Sequence, residues 1–271
     1  MEFYFERINA QEVADFTLPV NRGFLFGDGF FTTGIIQSGE ILDLELHLAR
    51  ITSSAKILRF PELNLDNLKA RLKLHATKEH SAGFRLTVSR TQPQRGYAIS
   101  EAQKTLCFLQ FFNRPVSSER YAEIFFAQTP ISINPLTAGI KHLNRLDNVL
   151  AASEIRHANQ EAVMCNHQEV ICGSRSNIFV MQKGKWATPC IDKAGIKGII
   201  RRKVMTYFAK HGIDCQEKTI TQKELIDSEA AFLTNSLINI WPVNAICQNQ
   251  LSTDASEEVR IGFTQEYGIE N

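Results

Sequence analysis

The stretch AGIKHLNRLDNVL at residues 138–150 places one lysine, Lys141, between a turn signal and a helical pattern. Leu146, Val149 and Leu150 recur at the spacing of one helix face, so an amphipathic helix facing a core is predicted after the lysine. A lysine beside such a surface either extends its amine into water or is partly desolvated. Desolvation lowers the pKa of an amine and makes it a better nucleophile. On physical grounds alone, the water-exposed amine is favoured for Lys141.

The rest of the chain reads as strands mixed with helices. Apolar and β-branched runs predict strands, and leucine spacing predicts helices. In the first part, strands are predicted at residues 30–37, 40–44, 83–91 and 105–112, and helices at 44–58 and 65–79. In the second part, strands are predicted at residues 123–131, 161–165, 177–182, 185–189, 214–220 and 229–235, and helices at 143–158, 198–210 and 255–266.

The polar segment 113–123, with Pro115 and two serines, is the predicted boundary between two lobes. Residues 1–115 are expected to form a small N-terminal α/β lobe. Residues 116–271 are expected to form a larger, sheet-rich C-terminal lobe that carries Lys141. The fold class is therefore α+β or α/β, with two lobes that act as one functional unit.

The composition indicates which kinds of binding partner and which location to expect. The 271 residues include 30 basic and 29 acidic side chains, and a net charge of +1 gives no electrostatic case for nucleic acid or an anionic membrane. The expected partner is a small molecule or another protein. No apolar run approaches the roughly 20 residues of a membrane helix. The first residues lack the basic-then-apolar order of a signal peptide, so the cytoplasm is the expected location.

Six scattered cysteines form neither a C-x-x-C motif nor a zinc-type spacing with histidine, so neither a metal site nor a disulfide framework is expected. The glycines of FGDGFFTTG precede a β-branched strand rather than a helix, which argues against a dinucleotide-binding loop. The stretch AGIKGIIRRKVMTYF at residues 194–208 is more informative, because a helix is predicted to begin near Lys197 or Gly198. Glycines at a helix N-terminus suit a phosphate, although many such helices bind nothing.

Several segments together resemble a known family. In chain order they are FGDGFFTTGII, HLAR, SRTQPQRGY, AGIKHLNRLDNVL, GSRSNIFV, GIKGIIR and FLTNSLINIWPV. The set resembles the fold-type IV pyridoxal-phosphate enzymes, which include branched-chain aminotransferases, D-amino-acid aminotransferases and 4-amino-4-deoxychorismate lyases. The resemblance is greatest to the lyases, since Thr32 and Thr33 follow GDGFF where a branched-chain aminotransferase has Glu-Gly.

This resemblance implies pyridoxal 5′-phosphate as cofactor and assigns residues to it. Lys141 matches the lysine that holds the cofactor as a Schiff base and moves the proton. Arg50, the last residue of HLAR, matches the arginine that binds the phosphate. The N–H groups of Ile199 and Ile200 and the hydroxyl of Ser236 match further phosphate ligands.

The same resemblance implies the substrate contacts and the reaction. Thr33 matches the threonine credited with assisting elimination, and Arg95 and Tyr97 match a loop that reaches over the substrate. The implied reaction converts 4-amino-4-deoxychorismate to p-aminobenzoate and pyruvate, a step toward folate, in a homodimer. His47, which begins HLAR, is expected to anchor its helix rather than to act in catalysis.

One position departs from the family pattern. Where the family has a glutamate that pairs with the pyridine nitrogen, this chain has Cys172. Glu169 lies three residues earlier, which is the wrong offset for a substitute. A neutral thiol cannot balance a pyridinium. This change weighs more against an aminotransferase than against a lyase, because aromatisation supplies much of the driving force of the lyase reaction. An aminotransferase and a catalytically impaired binding homologue remain the alternatives.

Overall fold

Residues 1–7, 21–91, 96–101, 103–115 and 119–268 are described by a computed structural model of the protein. The chain divides into two units. The first comprises Met1–Pro115 and Ile140–Asn144, and the second comprises Val116–Gly139 and Arg145–Asn271. Lys141 therefore groups with the first unit, and not with residues 116–271 as expected. The physical reason is that Ile140 is buried in the core of the first unit.

The first unit contains a five-stranded sheet with the order β1-β5-β4-β2-β3. Strand β1 runs parallel to β5, and the other neighbours are antiparallel. The elements are β1 (Glu2–Arg7), α1 (Arg22–Phe26), β2 (Gly29–Gln37), β3 (Glu40–Ile41), α2 (Leu44–Ile57), α3 (Leu65–Ala76), β4 (Ser81–Arg90) and β5 (Thr105–Phe112).

Helices α2 and α3 cover one face of this sheet, because their apolar stripes pack against alternate residues of the strands. Ile51 and Leu68 from the helices and Phe84 from β4 are among the buried residues of this core. On the same face, Thr32 Oγ1 and His47 Nδ1 form a buried hydrogen bond of 2.6 Å. His47 thus fixes α2 to β2, as the sequence predicted.

The second unit contains a ten-stranded sheet. Nine strands follow the order β11-β10-β9-β13-β14-β6-β7-β8-β12, and β15 pairs with β14. The elements are β6 (Ala122–Phe126), α4 (Leu146–Ser153), β7 (Gln160–Asn166), β8 (Glu169–Gly173), β9 (Asn177–Gln182), β10 (Lys185–Pro189), α5 (Ile199–Lys210), β11 (Cys215–Lys218), β12 (Ile220–Thr221), α6 (Gln222–Ile226), β13 (Ala230–Asn235), β14 (Asn239–Ile246), β15 (Asn249–Gln250) and α7 (Asp254–Tyr267).

The apolar stripe of α4 is on the outside of this unit. Leu146, Val149 and Leu150 are 68%, 61% and 48% exposed, so the prediction that they face a core of the chain is wrong. The helix packs on the sheet through Ala151 instead, which is fully buried. These three side chains form an exposed apolar surface on α4.

The mixed α and β composition predicted from the sequence is confirmed. All six cysteines are free thiols in the structure. In the described ranges, no helix combines the length and the apolar character required to cross a membrane.

Candidate active site

The backbone around Lys141 continues the sheet of the first unit beyond β2. The N–H of Phe31 donates to the carbonyl of Lys141 at 2.9 Å, and the N–H of Leu143 donates to the carbonyl of Gly29 at 3.0 Å. These bonds hold the lysine main chain against the beginning of β2. The position of the amine is therefore set by the sheet rather than by a free loop.

The amine of Lys141 lies over an aromatic ring. Its Nζ is 4.6 Å from the centroid of the Phe31 ring, and Phe31 is buried. The lysine side chain itself is half-buried. A cation over a ring face is attracted by the negative charge of the π system. Lys141 is thus neither a fully solvated surface lysine nor a closed core residue.

Thr33 and Arg85 lie on the same sheet face as Phe31. They are direct partners across β2 and β4, and side chains of such partners leave the same face. The guanidinium carbon of Arg85 lies 3.9 Å from the Phe31 ring centroid, and its Nε donates to Thr87 Oγ1 at 3.2 Å. Burial lowers the pKa of Arg85. Lysine, threonine and arginine therefore meet around one phenylalanine.

The motifs in the sequence do not single out Arg85. The available signal was the alternation in GFRLTVSRT, which puts Arg85 and Thr87 on one face of an otherwise apolar strand. Polar residues repeated with the strand period, here Arg85 and Thr87, mark a face that is not closed core.

The structure also describes two other residues of this unit that the sequence predicted as site residues, Arg50 and Tyr97. Arg50 lies in α2, and burial lowers the pKa of its guanidinium to about 10. Tyr97 is 83% exposed and its ring centroid is 5.1 Å from that of Phe26. Arg95 lies outside the described residues.

The segment of Tyr97 is tied to α1 by Arg22. Its guanidinium donates to the carbonyls of Gly96 at 3.0 Å and Tyr97 at 2.8 Å. The Nε of Arg22 donates to Asp28 at 2.7 Å, and Asp28 also accepts from the buried Arg90 at 2.8 Å. This ion-pair network fixes the backbone at Tyr97 and leaves the ring accessible.

In the second unit, α5 begins as predicted, with Gly198 as its N-cap residue and no capping side chain. The first helical residues, Ile199 and Ile200, bury their side chains. Asn177 Nδ2 donates to the carbonyl of Ile196 at 2.9 Å, and a Cβ at Gly198 would collide with Oδ1 of the same asparagine. Glycine is required by this close approach. The first N–H groups of the helix receive no hydrogen bond from a capping side chain.

The loop before α5 is also bonded to the segment that leads to Lys141. The N–H of Gly139 donates to the carbonyl of Gly195 at 3.0 Å, and the N–H of Lys197 donates to the carbonyl of Gly139 at 3.1 Å. Gly139 has φ +85°, a conformation that favours glycine.

Ser236 comes directly after β13, two residues beyond Thr234, whose hydroxyl lacks a hydrogen-bond partner among the described residues. Thr234 pairs with Asn177 across β13 and β9, and its buried Oγ1 has no hydrogen-bond partner within the described part of the chain. Ser236 follows in the turn after β13 and is half-buried. The structure thus brings the strand that leads to Ser236 beside the asparagine that supports the α5 N-terminus.

Cys172 is 5% exposed and lies in a small apolar cluster with Met164 and Ala151. Glu169 is engaged elsewhere, since Lys193 Nζ lies 3.0 Å from its Oε2. Glu169 therefore does not substitute for the missing carboxylate. Across the described ranges, His, Cys, Asp and Glu side chains form no group suited to a metal ion.

The chain is similar to known enzymes over most of its length. A family model described as amino-transferase class IV matches residues 29–246. An aminodeoxychorismate lyase from Vibrio harveyi is 30% identical over 232 residues, which cover 83% of this chain and 86% of the relative. A D-alanine aminotransferase from Bacillus licheniformis is 26% identical over 237 residues, which cover 83% of this chain and 81% of the relative. The crystal structure of 4-amino-4-deoxychorismate lyase from Pseudomonas aeruginosa has a TM-score of 0.88 at 28% identity, covering 95% of this chain and 97% of that one.

Proposed function

The chain belongs to the amino-transferase class IV family, and on that premise we propose that it is a pyridoxal-phosphate-dependent carbon–oxygen lyase. Its substrate is 4-amino-4-deoxychorismate, and its products are p-aminobenzoate and pyruvate, which places it in folate biosynthesis. The resemblance predicted from the sequence is confirmed, and so is the two-lobed fold-type IV architecture. The substrate and reaction are proposed from the names of the Vibrio and Pseudomonas enzymes and from the geometry below.

One observation carries the proposal: Lys141, Thr33 and Arg85 meet around Phe31. The substrate of a lyase of this kind has an amine, an ether oxygen and carboxylates. A lysine can take the proton from the amine-bearing carbon, a threonine can donate to the ether oxygen, and an arginine can bind a carboxylate. All three chemical groups lie on one sheet face.

Members of this family use pyridoxal phosphate. The residues of this chain fit the phosphate end of that cofactor. The uncapped N-terminus of α5 offers the N–H groups of Ile199 and Ile200, and the buried hydroxyl of Thr234 has an open hydrogen-bonding position. Arg50 adds a positive charge and Ser236 a hydroxyl. We assign Arg50, Ile199, Ile200 and Ser236 to the phosphate and Cys172 to the ring nitrogen.

When bound, pyridoxal phosphate supplies a carbon that holds the substrate amine and a ring that accepts electron density. Lys141 would hold the cofactor until the substrate amine replaces it, and its freed Nζ would then take the proton from the amine-bearing carbon of the substrate. The electron pair of that C–H bond becomes the third double bond of the substrate ring. Thr33 Oγ1 donates a hydrogen bond or a proton to the ether oxygen as the C–O bond breaks, so the group leaves as enolpyruvate, which tautomerises to pyruvate, and the proton taken by Lys141 replaces any proton that Thr33 gives up.

Two groups hold the substrate during these steps. Arg85 pairs with a carboxylate, and its contact with the Phe31 ring keeps its planar group in place. Arg95 and Tyr97 cover the substrate from their loop. The ion pair of Arg22 with Asp28 positions the backbone of that loop.

The protein acts as a homodimer in the cytoplasm in this proposal. The exposed apolar surface formed by Leu146, Val149 and Leu150 supports a second copy as its partner, because single chains rarely leave large apolar clusters in water. The balanced charge of +1 gives neither nucleic acid nor an anionic membrane an electrostatic advantage at this surface.

The test begins with the visible absorbance of the purified protein after addition of pyridoxal phosphate. The wild type and a Lys56→Ala control, which removes an exposed lysine of α2, should show the same band, and Lys141→Ala should lose it. Enzymatically generated aminodeoxychorismate is then added. Formation of p-aminobenzoate and pyruvate in equal amounts, lost in Lys141→Ala, supports the lyase.

The same experiment separates the alternatives. A normal band without p-aminobenzoate, together with amino transfer from D-alanine to a 2-oxo acid, would identify an aminotransferase such as the Bacillus relative. Absence of any cofactor band would identify a binding homologue. Either result rejects the lyase.

A further inference from the structure

Cys172 shares a sheet face with the first turn of α4. Cys172 in β8 pairs directly with Met164 in β7, so both side chains leave the same face. Asn148 of α4 reaches that face, with its Nδ2 3.6 Å from Met164 Sδ and 2.7 Å from the carbonyl of Ser174. Arg145, one turn earlier, donates from Nη1 to Asn148 Oδ1 at 3.3 Å. The asparagine therefore holds a guanidinium over the β7–β8 pair.

The guanidinium and the thiol are electrostatically coupled. Burial lowers the pKa of Arg145, and the proximity of Cys172 and Asp147 acts in the opposite direction. Arg145 is thus a cation partly withdrawn from water beside the sulfur. A guanidinium has only hydrogen-bond donors. A ring nitrogen that lies next to it is therefore favoured in its unprotonated form, which accepts a hydrogen bond.

Two carboxylates lie near this cluster, and Asp147 acts on the charge of Arg145. Asp147 accepts a hydrogen bond from the N–H of Ser132 at 2.8 Å. Glu161 is fully buried and lies an odd number of residues from Met164 along β7, which places it on the opposite face. It accepts from Ser174 Oγ at 2.6 Å and pairs with Arg175 at 3.0 Å. Cys172 therefore lies in an apolar cluster, with the guanidinium of Arg145 as a charged neighbour.

Resting on the proposed function, in which Cys172 faces the pyridine nitrogen, we propose that Arg145 keeps this nitrogen unprotonated and so directs the site toward elimination and away from amino transfer. A positive guanidinium opposes a second positive charge beside it. An unprotonated ring withdraws electrons less strongly. Amino transfer depends on that withdrawal, whereas the elimination also gains from aromatisation of the substrate. Arg145 acts electrostatically here and takes no part in bond breaking.

The test uses the full chain loaded with pyridoxal phosphate labelled with 15N at the ring nitrogen. The 15N resonance of the wild type at neutral pH should be that of an unprotonated pyridine. In Arg145→Gln, the pH at which the resonance moves to the pyridinium position should rise. Arg145→Lys, which retains the charge, and Arg156→Gln, which removes an exposed arginine beyond the same helix, should match the wild type.

Cys172→Glu provides the reverse change. It should give a pyridinium resonance at neutral pH and raise the ratio of amino transfer to elimination. A pyridinium resonance in the wild type, or a titration unaffected by Arg145→Gln, would overturn the inference while leaving the lyase intact. Failure to bind the labelled cofactor would reject the proposed function and this inference with it.

Discussion

Thr33 and Arg85 face each other across β2 and β4, and Phe31 lies beneath the guanidinium of Arg85. This arrangement joins a hydroxyl and a cation at one position of a regular sheet. Because strand pairing fixes both backbones, neither side chain depends on a loop for its place. The pair therefore makes a rigid platform that suits the proposed substrate, which carries an ether oxygen and a carboxylate.

Arg85→Gln should reduce kcat/KM for aminodeoxychorismate by about 10- to 100-fold, since a hydrogen bond to a charged group contributes about 1.5–3 kcal/mol. Steady-state formation of p-aminobenzoate measures this change. Arg71→Gln, in the exposed face of α3, is the matched control and should keep the wild-type value. An unchanged kcat/KM in Arg85→Gln would mean that Arg85 does not bind the substrate.

Gly198→Ala should weaken binding of pyridoxal phosphate about tenfold or more, since the new Cβ displaces Asn177 and disturbs the first N–H groups of α5. Titration of the apoprotein with the cofactor measures the dissociation constant. Gly212→Ala is the control, because Gly212 follows the other end of the same helix in a left-handed conformation with open space around it. It should lower thermal stability without changing cofactor affinity. Equal affinity for pyridoxal phosphate in both variants would mean that the α5 N-terminus does not bind the phosphate.

Glu154→Gln should destabilise the protein at neutral pH and lose this effect in acid. Burial acts to raise the pKa of Glu154, but hydrogen bonds from Thr129 Oγ1 at 2.7 Å and from the N–H of Gln128 at 2.7 Å outweigh it, so the pKa lies below its ordinary value. A carboxyl with a depressed folded-state pKa stabilises the fold above its unfolded pKa of roughly 4.3. That contribution is lost as pH falls through the folded pKa.

Thermal unfolding between neutral and acidic pH measures the stability difference between wild type and Glu154→Gln. The difference should shrink below about pH 4. Glu258→Gln, at an exposed position in α7, should show no such dependence. A difference for Glu154→Gln that persists in acid would mean that the lost contacts are not those of the carboxylate.

Leu150→Glu should convert the proposed dimer to monomer, because it puts a charge into the exposed apolar surface of α4. Size-exclusion chromatography with light scattering gives the mass in solution. Leu74→Glu, a change at a 62% exposed leucine of α3, should leave the mass unchanged. A wild-type protein that is monomeric at all concentrations would contradict the dimer.

The positions of long periodic helices and strands were predicted well from the sequence. What their side chains pack against was predicted less well. Strand β2 and helix α5 were predicted almost to the residue, because each combines a strong pattern with glycine signals at its ends. The apolar stripe of α4 was also real, but periodicity cannot tell whether such a stripe packs inside the chain or is left for another molecule.

Strand β14 was missed for a different reason. It contains Pro242, and proline lacks the N–H that a central strand normally donates. Pro242 nevertheless pairs with Phe232 of β13. Arg85 was missed because a charged residue within an apolar strand matches no family motif recognised in the sequence. Its role depends on the ring beneath it, and that ring is distant in the chain.

The membership of Ile140–Asn144 in the first unit bears on how the protein is made. Ile140 belongs to the core that residues 1–115 build, yet 24 residues assigned to the other unit, Val116–Gly139, separate it from Pro115. During synthesis, that core cannot close until residue 144 has left the ribosome. A fragment that stops at Pro115 would lack both a core side chain and the backbone that covers Phe31. The two units are therefore not separable genetic modules, and a gene encoding residues 1–115 alone would yield an incomplete core.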